Sequence, residues 1–179
     1  MYKQGKHVIR IRMAVVALVL VTALTACGYH FKGEGLKAPE GVHTIAITVL
    51  ENRTSESGIE RVFTNDLAYE FTRSKVLGVV KKDAADAILS GIIRSMGVHT
   101  ISHTADYESG ERRVTMTLNL TLKSRDGKVL WSDTSLSDRE AFQVLPDDRI
   151  ATDRNRRVAI EAISERLAER THNRILTGF

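Results

Sequence analysis

The feature that most constrains the fold of this chain is an unbroken alternation of apolar and polar residues between positions 113 and 123. One parity is Val114, Met116, Leu118, Leu120 and Leu122, and the other is Arg113, Thr115, Thr117, Asn119, Thr121 and Lys123. Because successive side chains of a β-strand point to opposite faces of a sheet, this period predicts a long strand with one buried and one polar face. Asp126-Gly127 is a strong hairpin signal, so a partner strand should return from Lys128 to about Ser137.

Five further segments have the periodicity of regular elements. They are a half-buried strand at 42–50, a helix from a Ser57–Glu60 capping box to about Lys75, a short strand at 76–80, a long strand at 84–103 followed by a polar turn at 104–110, and a helix at about 153–176. Within the long strand, the alternation predicts that Met96 and Val98 share the side of Ile88, whereas Leu89 and Ile93 share the other side.

The order of these elements predicts the α+β class, with a mostly antiparallel twisted sheet of about four strands and two helices packed on one face. Both helices belong on one face because each has a single apolar stripe to bury. The odd-numbered face of the 113–123 strand is then left polar and rich in threonine. Two interpretations of that face stay open: a solvated sheet surface, or a contact with a polar partner surface such as the lumen of a barrel.

The first 27 residues have the organisation of a secretory signal. A basic start precedes an apolar run from Met13 to Ala26, and the only cysteine of the chain, Cys27, follows Leu24-Thr25-Ala26. The run is short for a transmembrane helix, which needs roughly 20 apolar residues. The order resembles a bacterial lipoprotein signal and predicts cleavage between Ala26 and Cys27. An uncleaved membrane anchor with an incidental cysteine is the alternative.

The resemblance to a lipoprotein signal implies that Cys27 carries a thioether-linked diacylglycerol and, after cleavage, an N-acyl chain. Several chains on one residue would anchor the protein firmly, whereas a single chain binds a membrane weakly. Gly28, in place of an aspartate, favours the outer membrane. We therefore expect a cleaved signal peptide at 1–26, a lipidated N-terminus and tether at 27–41, and a single domain at 42–179 on the periplasmic side of the outer membrane.

The net charge of the chain comes from the signal segment. Residues 1–27 contain four of the 26 basic residues and none of the 22 acidic residues, so the remainder carries 22 of each sign. A domain without net charge gives no compositional argument for nucleic acid as a partner. With Cys27 lipidated, no thiol remains for a disulfide or for a cysteine metal site.

The sequence contains no motif for catalysis, for phosphate binding or for a metal site. We therefore expect no enzyme, no catalytic residue and no cofactor apart from the lipid on Cys27. Arg112 and Arg113 open the long alternating strand beside the predicted turn. They are interpreted either as the exposed charged end of a hairpin or as a contact for an anionic group such as a lipid phosphate.

Three stretches resemble the family of the lipopolysaccharide-assembly lipoprotein LptE: Leu24-Thr-Ala-Cys-Gly-Tyr-His-Phe31, Ile45-Ala-Ile-Thr-Val-Leu-Glu-Asn-Arg-Thr54 and Ala85-Asp-Ala-Ile-Leu-Ser-Gly91. The later strands and the C-terminal helix follow the same order. The resemblance implies an outer-membrane lipoprotein that plugs the LptD barrel, assists lipopolysaccharide transport and binds lipopolysaccharide through basic side chains, for which Arg112 and Arg113 are the candidates. The alternative is a lipoprotein subunit of another envelope or secretion complex with a similar domain.

Overall fold

The computed structural model describes residues 36–103 and 110–178 of the chain. The predicted signal peptide, Cys27 and most of the 27–41 tether and of the 104–110 turn lie outside the described residues. The elements, in chain order, are β1 (Thr44–Ile47), β2 (Glu51–Asn52), α1 (Ile59–Ser74), β3 (Gly78–Val79), β4 (Ala87–His103), β5 (Gly110–Ser124), β6 (Val129–Val144) and α2 (Arg149–Thr177).

The alternating strand forms as the sequence predicts. β5 buries all five residues of its apolar parity and leaves the polar parity partly accessible. It pairs antiparallel with β4 on one side and with β6 on the other. The turn into β6 is closed by Gly127, whose N–H donates to the Ser124 carbonyl at 2.9 Å and whose φ of 89° suits a residue without a Cβ. The predicted strand and the partner strand that returns after the Asp126-Gly127 turn are therefore confirmed.

The first half of the chain adds a parallel region to the antiparallel strands β4, β5 and β6. β1 pairs parallel with both β3 and β4, and β2 pairs parallel with β4. Parallel neighbours require a long crossover connection, and α1 supplies it between β1 and β3. The α+β class with two helices is confirmed, but the expectation of about four mostly antiparallel strands is wrong. The sheet has six strands, in the order β3-β1-β4-β5-β6 with β2 beside β4. The short strand predicted at 76–80 is β3, whereas the two-residue β2 is too short to give a periodic signal.

Both helices bury their apolar stripes in the same core as β5. α1 contributes Ile59, Phe63, Leu67 and Phe71, which recur every four residues along one side of the helix. α2 runs beside α1 and lies over β5 and β6, with Ile163, Leu167 and Ile175 fully buried. The apolar parity of β5 belongs to the same cluster, so the opposite parity defines the uncovered side of the sheet.

A β-bulge corrects the predicted faces of β4. The register shifts between Ile93, which opposes Leu118, and Ser95, which opposes Thr117. Because a bulge inserts one unpaired residue, it reverses the alternation beyond it. Met96 therefore opposes Met116 and Val98 opposes Val114, on the side of Leu89 and Ile93. The prediction that Met96 and Val98 share the side of Ile88 is wrong.

Three element boundaries differ from the expectations. The predicted Ser57–Glu60 capping box is wrong, because Gly58 is the N-cap of α1 and Glu60 instead accepts hydrogen bonds from Asn52 Nδ2 and Gly58 N. α2 begins at Arg149 rather than about 153, since Asp148 Oδ1 caps it by accepting from Ala151 N at 2.9 Å. β6 continues to Val144 rather than ending near Ser137. Neither helix in the described part is long and apolar enough to cross a membrane.

Candidate functional site

The side of the sheet away from α1 and α2, here called the open face, is mainly polar, although Ile88 and Ile92 of β4 also lie on it. It is built from the odd-numbered residues of β5 and from their neighbours on β4 and β6. Two of its rows consist of hydroxyl side chains, Ser90 with Thr121 and Ser132, and Ser95 with Thr117 and Ser137, and the row between them holds Ile92 and Asn119. No element of the described chain packs on this face, because the apolar stripes of both helices are used on the other side.

One end of the open face forms a depression of about 690 Å³, here called the cationic groove. It lies at the end of the sheet opposite the Asp126-Gly127 turn. Its lining combines two arginines and a histidine with hydroxyl groups, and comprises His99, Thr100, Ile101, Arg113, Thr115, Ser137, Asp138 and Arg139. Guanidinium groups set among hydroxyl donors are suited to binding anions such as phosphates.

Strand register brings the two arginines of the groove together. Arg113 opposes His99 on β4 and Ala141 on β6, while Arg139 opposes Thr115. The two arginines are thus diagonal neighbours on one face, a separation of about 7–8 Å that long side chains can bridge. Beside them, the His99 ring lies close to Gly97, where an added Cβ would come within 3.1 Å of His99 Nε2. The glycine therefore leaves room for the imidazole at the edge of the groove.

Neither groove arginine has a carboxylate partner among the described residues. Glu111 has the same parity as Arg113 and lies two positions before it, yet it forms no ion pair with either arginine. Within the described part of the chain, the groove therefore presents two guanidinium groups without a fixed carboxylate acceptor. An anion bound there would form charge-assisted hydrogen bonds, which are about twice as strong as neutral ones.

On the covered side of the sheet, arginines are paired with carboxylates. Three arginines of α2, here called the arginine ladder, reach carboxylates on β6: Arg166, Arg170 and Arg174. Arg166 Nε lies 2.7 Å from Asp138 Oδ2 and Arg166 Nη2 lies 2.8 Å from Glu140 Oε2, while Arg174 pairs with Asp133. Burial raises the pKa of Asp138, but the hydrogen bonds from Arg166 Nε and Arg139 N outweigh it and hold that pKa below its usual value.

The two arginines proposed from the sequence fall on opposite sides of the sheet. Arg113 belongs to the cationic groove, whereas Arg112 shares the parity of the buried Val114 and opposes the buried Phe142. The structure therefore does not bring Arg112 and Arg113 into one site. Sequence reasoning missed Arg139, because the predicted last strand ended near Ser137, two residues before it.

The groove combines guanidinium, imidazole and hydroxyl groups, which can donate hydrogen bonds to an anion. Within residues 36–103 and 110–178, no three or more His, Cys, Asp or Glu residues are grouped to hold a metal ion. The predicted lipid site at Cys27 and the cleavage site at Ala26 lie outside the described residues. The open face and its cationic groove are thus the candidate functional site.

Comparisons with known proteins place the chain among bacterial envelope lipoproteins. A sequence model described as "LptE: Lipopolysaccharide-assembly" matches residues 42–175. No curated protein matches the chain in sequence. Lipoprotein B from Nitrosomonas europaea has a similar structure, with 13% identity, a TM-score of 0.52, and coverage of 84% of this chain and 92% of that one. A minor lipoprotein from Acinetobacter baumannii is 12% identical with a TM-score of 0.50, covering 76% of this chain and 93% of that one. At these identities the two structures support the fold alone.

Proposed function

Because this chain belongs to the LptE lipopolysaccharide-assembly family, we propose that it is an outer-membrane lipoprotein that plugs the LptD barrel and assists delivery of lipopolysaccharide. The family is one of non-enzymatic lipoproteins without a known cofactor. The observation that carries the proposal is the open face, a wide polar surface whose two groove arginines lack described carboxylate partners. Family membership favours this role over that of a subunit in another envelope or secretion complex.

The middle of the open face is suited to a polar barrel interior. Its threonine and serine side chains can both donate and accept hydrogen bonds, and they present little fixed charge. The lumen of an outer-membrane barrel is itself polar, so such a face would exchange water for side-chain partners without burying unpaired charges. In this proposal the covered side, with both helices, remains outside the contact with the barrel wall.

The cationic groove is proposed to contact lipopolysaccharide, whose phosphate groups match its guanidinium donors. Arg113 and Arg139 would bind one phosphate together from neighbouring strands, with Thr115 and Ser137 as neutral donors beside them. His99, at the rim, adds a further nitrogen. Arg112, on the opposite side of the sheet, remains a predicted contact that would have to meet a different part of the ligand.

Binding of lipopolysaccharide by the purified full-length protein tests the groove. Replacing both Arg113 and Arg139 by alanine should weaken binding at least about tenfold, which corresponds to the loss of about 1.4 kcal/mol. Arg154→Ala, an exposed arginine of α2 outside the groove, is the matched control and should bind as the wild type does. Unchanged affinity of the double variant would reject the groove, and an equal loss in the control would indicate nonspecific charge attraction.

Co-purification from the outer membrane tests the barrel. The wild-type chain, extracted in detergent, should retain a large outer-membrane barrel protein at a fixed stoichiometry. A charge placed in the middle of the open face, as in Thr117→Glu, should reduce the recovered barrel, whereas Glu161→Lys on the exposed side of α2 should not. Recovery of the same amount of barrel with Thr117→Glu would argue against the open face as the contact.

Anchoring through Cys27 is tested separately from binding. Cys27→Ser removes the thiol that would receive the diacylglycerol, so it should abolish labelling by a radioactive fatty acid and leave the signal peptide uncleaved. Incorporation of label into the Cys27→Ser protein would contradict the anchor without affecting the groove.

A further inference from the structure

β4 has one edge paired along its whole length and one that is covered only in part. β1 and β2 lie beside its first half, and the last rung is a hydrogen bond from Arg53 N to the Ile93 carbonyl at 3.1 Å. Beyond that rung, no described residue pairs with this side of the strand. The run from Ser95 to Thr100, here called the β4 free edge, is regular and lies between two bulges.

The backbone of the β4 free edge presents hydrogen-bonding groups outward. The carbonyls of Leu89 and Ile93 point toward β1 and β2, since they accept from Thr48 N and Arg53 N. Outward and inward residues alternate along a strand that pairs antiparallel, and the bulge after Ile93 shifts that alternation by one. The N–H and C=O groups of Met96, Val98 and Thr100 therefore face away from β5 and form three open rungs.

The opposite edge of the sheet, on β6, is covered by α2. Arg170 Nη1 donates to the Ser137 carbonyl at 2.9 Å, Arg166 Nη2 to the Arg139 carbonyl at 3.2 Å, and Asn155 Nδ2 to the Gln143 carbonyl at 3.0 Å. Native sheets protect exposed edges with such caps, with lysines or with proline. The β4 free edge reads Ser-Met-Gly-Val-His-Thr and contains no lysine and no proline, and a bulge flanks it at each end.

Unpaired positive charge surrounds the β4 free edge. Arg94 is exposed at its first bulge, and Arg112 and Arg113 oppose Thr100 and His99 one strand away. None of these three guanidinium groups forms an ion pair with a described residue. An added strand would lie about 5 Å from β4, so its side chains would come within reach of the long arginine side chains.

We propose that the β4 free edge binds an extended acidic segment of a partner protein, which adds to the sheet as a strand beside β4 and continues the line of β1 and β2. Main-chain hydrogen bonds to the three open rungs would supply affinity, and carboxylates of the segment facing Arg94 and Arg112 would select it. This contact uses the sheet edge rather than the open face, so it can fail while the proposed role of the groove stands.

Photo-crosslinking in the intact envelope tests the proposal. A benzoylphenylalanine introduced at Thr100 of the full-length chain should crosslink to a protein segment rich in Asp and Glu, identified by mass spectrometry of the adduct. The same probe at Ser135, an exposed position on the α2-capped strand β6, is the matched control and should give no such adduct. Crosslinks only to a second copy of the chain, only to lipopolysaccharide, or to a segment without acidic residues would overturn the proposal.

Two variants separate backbone pairing from charge. Val98→Pro removes one outward N–H without touching the ladder to β5, because proline is tolerated where the N–H faces away from the sheet. It should lower the crosslinking yield at Thr100 at least fivefold. Arg94→Glu with Arg112→Glu changes only exposed side chains and should lower it similarly, so the proposal remains testable if Val98→Pro does not fold. Full yield in the charge-reversed variant would overturn the acidic character of the segment.

Discussion

The two faces of one sheet use the same residue type in different ways. On the covered face, Arg166 and Arg170 of α2 meet Asp138 of β6, and their heads also cap carbonyl groups of that strand. On the open face, Arg113 and Arg139 stand on neighbouring strands with no described carboxylate partner. The strands are the same, so the difference lies in what each face has to pack against.

The comparison separates arginines that stabilise the fold from arginines that are accessible to a ligand. A guanidinium beside a packed helix loses water and needs a fixed acceptor, or its burial costs free energy. A guanidinium on an uncovered face keeps its water, so it can stay unpaired at little cost to the fold and still exchange that water for an anion. Positive charge without a described partner on the open face is therefore accessible to an anion.

The largest difference between the faces should appear when buried and open positions of β5 are truncated. Leu118 is fully buried and opposes Ile93 and Leu136, so Leu118→Ala should lower the free energy of unfolding by about 2–5 kcal/mol. Its sequence neighbour Thr117, on the open face, is the matched control, and Thr117→Ala should stay within about 0.5 kcal/mol. Urea denaturation measures both, and similar losses would show that the open face is packed as tightly as the covered one.

A smaller effect is expected when the arginine ladder loses its central carboxylate. Asp138→Ala leaves Arg166 and Arg170 without their shared acceptor. Because the Arg166 side chain is 40% exposed, solvent screening limits the expected loss to about 1 kcal/mol. Asp147→Ala, in the exposed loop before α2, should leave the free energy of unfolding unchanged. If Asp138→Ala were as stable as the wild type, the paired arginines would contribute no more to stability than the unpaired ones.

A third effect depends on pH and concerns Asp86, which joins β1 to the start of β4. The Thr44 hydroxyl and the His43 and Thr44 backbone N–H groups all donate to Asp86 Oδ2, and they hold the pKa of Asp86 below its usual value. A carboxyl whose pKa is lowered by folding stabilises the protein above its unfolded pKa of about 3.9, and that contribution is lost as the pH falls further.

Asp86→Asn should therefore flatten the loss of stability between about pH 5 and pH 3, because the amide does not titrate in this range. Urea midpoints of the variant and of the wild type, measured at both pH values, give the comparison. Thr44→Val removes the hydroxyl donor and should reproduce part of the flattening. An unchanged pH dependence in Asp86→Asn would assign the acid sensitivity to other carboxylates, such as Asp138.

How much of this could be predicted from the sequence differs between the two faces. The covered face follows from periodicity, since five alternating apolar residues of β5 leave little choice of orientation. The bulge after Ile93 has no residue signature, so the phase of Met96 and Val98 could not be read from their parity. The parallel pairings of β1 likewise depend on the crossover through α1 and leave no trace in the local pattern.

The sequence indicated only one of the two arginines of the open-face site. Arg113 could be found because it begins the alternating strand, but its partner Arg139 lies 26 positions later and meets it only through strand register. Register on β6 is itself shifted by two irregularities, between the partners of Leu118 and Leu120 and again after Leu122. Counting residues from the Asp126-Gly127 turn therefore does not identify the residues of β6 that lie beside Arg113. Arg112 and Arg113 are adjacent in the sequence, but for that reason they point to opposite faces of the sheet.

The smallest expected effect is also the most direct test of the contrast between the faces. Replacing Arg113 and Arg139 together by alanine should change the free energy of unfolding by no more than about 0.5 kcal/mol, because both side chains lack described partners whose loss would cost stability. Arg166→Ala, measured beside it, should cost about 1 kcal/mol through the loss of its carboxylate contacts.

Thermal and urea unfolding measure which of the two variants loses more stability. A double variant that loses as much stability as Arg166→Ala would make the groove arginines part of the fold, and weakened lipopolysaccharide binding could then be a consequence of unfolding. A double variant of wild-type stability that still fails to bind would place the function of these arginines on the ligand alone. The stability measurement thus decides how the binding measurement is to be read, because only charges that the fold does not need are available to a partner.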